Sequence, residues 1–61
     1  MPLVFVKMLE GRTMEQKRGL VAAITEAVVQ HTGAPADAVD VVIEDYPRTG
    51  WAKGGKFLSD K

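Results

Sequence analysis

Cysteine is absent from this 61-residue sequence, histidine occurs once, and eight basic residues are balanced by eight acidic ones. Without cysteine no disulfide can staple the fold, and a lone histidine is too few ligands for a structural zinc site, so no metal is expected. The two signs of charge are interspersed, which lacks the basic stripe of a nucleic-acid binder and makes DNA and RNA unexpected partners. No apolar run approaches the roughly 20 residues of a membrane span. The first residues do not follow the basic-then-apolar order of a secretory signal either, so the expected location is the cytoplasm, away from membranes.

Apolar side chains, by contrast, are plentiful at 46% of the residues. A domain this short buries only about 60% of the surface its unfolded chain exposes, and neither disulfides nor metal are expected to compensate. The remaining staple is association. Residues 1–61 are therefore expected to form a single small domain whose surplus apolar surface faces other copies of the same chain.

The residue pattern divides that domain into elements. Val4, Val6 and Met8 fall on one face of an extended segment, with Leu3, Phe5 and Leu9 largely on the other and Lys7 the only charge, a pattern that calls for cover on both sides. Thr13-Met14-Glu15-Gln16 reads as a capping box. From Met14 to about His31, Leu20, Ile24, Ala27, Val28 and His31 recur at helical spacing, with Val21 widening the stripe, and Gly33 with Pro35 ends the helix. Val39 to Glu44 is a second strand rich in β-branched residues. Strand, helix, strand in this length implies a β-α-β unit with parallel strands, an α/β (α+β) fold. Residues 46–61, with Pro47, Gly50, Gly54 and Gly55, read as turns around a short hairpin whose large apolar groups are Trp51, Phe57 and Leu58. Two strands and one helix cannot cover both faces of a sheet, so a wider sheet shared between chains is expected.

Pro2 stands out because proline directly ahead of a strand is tolerated there but contributes nothing to the sheet. Removal of Met1 would turn it into a free secondary amine at the end of a rigid element. Arg12 sits where a helix begins, a position at which the helix dipole makes a cation mildly unfavourable. A guanidinium there can instead clasp a planar carboxylate through two parallel hydrogen bonds. His31 near a helix C-terminus is read as a dipole or packing residue, and Gly54-Gly55 lacks the strand-to-helix setting of a phosphate loop.

Pro2, the stretch Met8-Leu9-Glu10-Gly11-Arg12-Thr13 followed by Glu15-Gln16-Lys17, the Ala34-Pro35 turn, the Val/Ile strand and Gly54-Gly55 together resemble the 4-oxalocrotonate tautomerase family over essentially the whole chain. The resemblance implies a β-α-β subunit assembled into a homohexamer, a trimer of dimers. It also implies a cofactor-independent tautomerase, in which the amino-terminal proline shuttles a proton between an enol or dienol and its conjugated ketone. Pro2 matches the catalytic proline, Arg12 the arginine that binds the carboxylate of a small substrate, Leu9 an apolar wall, and Trp51 an aromatic position of the pocket. Asp40 stands where well-known members carry a second arginine, contributed by a neighbouring subunit. Arg48 is a possible replacement for it. Apolar neighbours and the charge of Arg12 would disfavour the protonated amine, drawing its pKa from the roughly 7.7–8.0 or above of a free amine towards neutrality, where a general base is needed. Within the same resemblance, addition of water to an unsaturated acid by Pro2, as in the family's dehalogenases, is an alternative. A non-catalytic oligomeric ligand-binding module is the alternative from another class.

Overall fold

Two parallel strands carry the molecule, and a computed structural model describes them within residues 2–60. Removal of Met1 therefore concerns a residue outside those described. Strand β1, Leu3–Leu9, pairs with β2, Asp40–Tyr46, from Leu3 opposite Asp40 to Leu9 opposite Tyr46. Helix α1, Met14–Thr32, links them. The tail folds into strands β3, Ala52–Lys53, and β4, Lys56–Phe57, an antiparallel hairpin closed by Gly54 and Gly55 at φ 59° and 84°. Positive φ at both central residues is what a two-residue hairpin turn matching the strand twist requires, and glycine adopts it without steric cost. The expected β-α-β architecture with a C-terminal hairpin is thus present. Short 3₁₀ turns at Ala36–Ala38, Arg48–Gly50 and Leu58–Asp60 add detail that periodicity does not announce.

The helix begins where the capping box places it. The Gln16 amide donates to the Thr13 hydroxyl at 3.1 Å, and the Thr13 amide donates to the Gln16 side-chain carbonyl at 2.9 Å. Gly33 closes it, its amide reaching the Val29 carbonyl at 3.0 Å. The covered stripe differs in part from the one expected. Leu20, Val21, Ile24 and Val28 are half-buried, but so are Lys17, Thr25 and Val29, whereas Ala27 and His31 are exposed. Thr25 escapes a search for apolar periodicity because its hydroxyl hides a methyl group. β2 also runs two residues beyond the expected Glu44, because Glu44 and Tyr46 continue the alternation begun by Val42.

Cover is one-sided. Val4, Val6, Val41 and Ile43 lie half-buried, while Leu3 and Phe5 on the opposite face are 55% and 58% exposed and their neighbour Val42 is 39% exposed. No described residue is fully buried. The radius of gyration is 14.6 Å, against the roughly 10.5 Å that a compact chain of this length would have. The accessible surface of 4647 Å² likewise exceeds the roughly 3,900 Å² of a folded monomer of this mass. No helix among the described residues is long and apolar enough to cross a membrane.

Candidate active site

The far end of the sheet gathers most of the residues singled out above. As β1 ends, the Glu10 amide donates to the Tyr46 carbonyl at 2.9 Å, and three residues later the Thr13 capping box begins the helix. Only Gly11 and Arg12 separate these two anchors. Gly11 makes the bend at φ 120°, a conformation that a side chain would strain. Arg12 is thus presented from a short span fixed at both ends, with its side chain exposed.

Leu9 and Tyr46 lie opposite one another across the strands and are both half-buried. The Tyr46 ring meets Trp51 edge to face, with centroids 6.2 Å apart and an interplanar angle of 76°. Trp51 is held by its backbone, since its carbonyl accepts from the Leu58 amide at 2.8 Å as the hairpin folds back. The Tyr46 hydroxyl donates to a Glu44 carboxylate oxygen at 3.3 Å. Arg48 is exposed in the turn between Tyr46 and Trp51. Leu9, Trp51, Arg12 and Arg48 therefore share one end of the molecule, together with Tyr46, which sequence reading assigned to the tail. The signal that could have found it was the alternation Val42, Glu44, Tyr46.

Pro2 lies at the other end. It is half-buried, and its carbonyl accepts from the Asp40 amide at 3.0 Å, so Asp40 sits beside it at the start of β2 with an exposed side chain. The length of β1 separates Pro2 from Leu9 by about 23 Å at roughly 3.3 Å per residue. Within one chain the expected apolar wall and the expected base do not meet.

Another feature lies apart from these residues. A groove of about 460 Å³ between α1 and the 3₁₀ turn at Ala36 is lined by Val21, Ala22, Thr25, Glu26, Val29 and Ala36. It holds none of the residues above, and with a single acid among apolar walls it has the character of a packing surface. Among the described residues no group of three His, Cys, Asp or Glu side chains is placed to hold a metal ion.

Comparison with known proteins gives the arrangement its context. The model of a family described as tautomerase enzyme matches residues 2–61. A 2-hydroxymuconate tautomerase of Bacillus subtilis is 55% identical over 60 residues, covering 98% of this chain and 97% of that protein. The crystal structure of YwhB, a homologue of 4-oxalocrotonate tautomerase, superposes with a TM-score of 0.94 at 53% identity, covering 98% of both chains. A heterohexameric 4-oxalocrotonate tautomerase from Chloroflexus aurantiacus superposes with a TM-score of 0.92 at 35% identity, covering 98% of this chain and 97% of its own. With a parallel β-α-β subunit and a C-terminal hairpin in common with these structures, the chain belongs to the tautomerase enzyme family, whose members are isomerases.

Proposed function

We propose that the protein is a cofactor-independent tautomerase of small unsaturated 2-hydroxy or 2-oxo carboxylates, with Pro2, freed by loss of Met1, as its base and acid. The neutral Pro2 nitrogen takes the proton of an enol or dienol hydroxyl. The electron pair moves through the conjugated chain, and the protonated nitrogen returns a proton to the carbon that is third or fifth counting the hydroxyl oxygen as first, giving the ketone. Arg12 holds the substrate carboxylate, and Leu9 with Trp51 excludes water from the conjugated chain. We place it in the cytoplasm.

The single observation that carries this reading is the separation of the two ends of β1. If Pro2 and Arg12 serve one substrate, they come from different copies of the chain, and the copies must associate. The rest of the surface agrees with that need: no described residue is buried, and both strands have an open edge. A homohexamer built as a trimer of dimers satisfies both requirements, by widening the sheets and by covering the face of Leu3, Phe5 and Val42.

Mixing two variants, each impaired at one end and assayed well below KM, tests the arrangement. Pro2→Ala and Arg12→Ala chains, refolded together, should regain activity on a 2-hydroxydienoate carboxylate. Random assembly of a two-chain site leaves about a quarter of sites with both residues intact. A site built within one chain would leave none, and a mixture as inactive as its components would end the proposal of a shared site.

A further inference from the structure

Tyr46 belongs to none of the roles assigned so far, yet it stands between two residues of the proposed pocket. It lies directly across from Leu9, packs its ring against Trp51, and keeps its hydroxyl turned to Glu44. We infer that Tyr46 is a specificity-determining wall of the carboxylate pocket, which with Leu9 and Trp51 forms a rigid aromatic cleft selecting flat, conjugated carboxylates over flexible saturated ones. This rests on the function proposed above.

The geometry accounts for the selection. An edge-to-face pair fixes the planes of both rings nearly at right angles, so they form a rigid corner in which each ring offers a flat face rather than an adaptable surface. The hydroxyl bond to Glu44, two residues earlier on the same strand, further restricts the Tyr46 ring. Trp51 is tied at its backbone by Leu58, so neither aromatic needs to be ordered by the ligand. A planar diene can lie along one of these ring faces while Arg12, from the same end of the same chain, takes its carboxylate. A saturated chain of the same length must give up its rotamers to do so.

The test uses 2,4-hexadienoate and hexanoate, two monocarboxylates of equal carbon number, titrated into the full-length assembled protein. Binding is followed by calorimetry and by the emission of Trp51, the sole tryptophan in the sequence. In the parent the diene should bind roughly threefold to tenfold more tightly, the size of one good aromatic contact. Tyr46→Phe keeps the ring and should retain most of that preference. Tyr46→Leu should bring the ratio near one while hexanoate affinity stays within about twofold. Tyr46→Met serves equally if the leucine variant does not fold, since either removes the flat wall and leaves an apolar side chain against Leu9. Equal affinities in the parent, or a preference that survives loss of the ring, would overturn the assignment of Tyr46 while leaving the carboxylate pocket intact. A parent that binds neither acid lacks the pocket itself, and both readings then fail together.

Discussion

The two ends of the central sheet differ in how firmly the chain holds them. At the end of Leu9 and Tyr46, an interstrand amide bond, a capping box, a hairpin and an aromatic pair converge within a few residues. At the end of Pro2 and Asp40, the Asp40 amide donates to the Pro2 carbonyl where the strand pairing starts, no cap or aromatic pair among the described residues adds to it, and the neighbouring Leu3 is more than half exposed. On the function proposed above, the end proposed to bind substrate is the more firmly held within one copy, and the placement of the proposed base Pro2 depends more on what covers the opposite end.

Changes at Pro2 should have the largest effect, because they remove the reacting group without disturbing the binding end. Pro2→Ala is expected to lower kcat for ketonisation by roughly 10²–10⁴, the usual contribution of a positioned acid or base. Substrate binding, followed through Trp51, should change little. A variant with near-parental kcat would show that the amine is not the base and would dissolve the contrast between the two ends.

Arg12→Ala attacks the other end. Loss of a charge-assisted contact of about 1.5–3 kcal/mol should weaken carboxylate substrates by roughly 10–100-fold, with KM rising more than kcat falls. Arg12→Lys should recover only part of this, because an ammonium cannot make the bidentate contact. Loss of turnover alone would mean that Arg12 stabilises developing charge on the enolate instead.

How much of this was legible in the sequence follows from where the information resides. Capping box, glycine turn and strand alternation are local, and Thr13, Gln16, Gly54 and Leu3 stand as their neighbours require. Tyr46 was missed because its meaning comes from a strand partner far away in the sequence and from a ring in the following turn. His31 and Ala27 were assigned to the packed stripe because spacing alone does not say which side of a broad helical face meets a narrow sheet. The separation of Pro2 from Leu9 is only strand length, yet it becomes informative once both residues are given roles in one reaction.

Asp40 should give a smaller effect than Arg12. Two like charges about 4 Å apart at an effective dielectric near 20 set a scale of about 4 kcal/mol. The Asp40 side chain is exposed, and screening cuts such terms to a fraction of that. If its carboxylate faces a substrate's second carboxylate, dicarboxylates should be disfavoured a few-fold against matched monocarboxylates in kcat/KM, more so at low salt. Asp40→Arg should narrow or reverse the ratio. An unchanged ratio would put Asp40 outside the pocket, or give the second carboxylate to Arg48, which belongs to the opposite end of its own chain.

The smallest effect expected is at the ion pair between Lys17 and Asp45, which ties the first turns of the helix to the end of β2. Its side chains are 20% and 36% exposed, so water reaches both partners and the pair resembles a surface bridge more than a buried one. A double-mutant cycle of Lys17→Ala and Asp45→Ala should therefore give a coupling of about 0.2–1 kcal/mol that shrinks in high salt. The measurement must be made at fixed protein concentration, since association contributes to the apparent stability of an oligomer. A coupling near zero would mean that the Leu9 end is held by its backbone bonds and cap alone. A coupling above about 2 kcal/mol would show that the pair is desolvated in the assembled protein, and that the firmness of this end, like the placement of Pro2 at the other, depends on neighbouring copies.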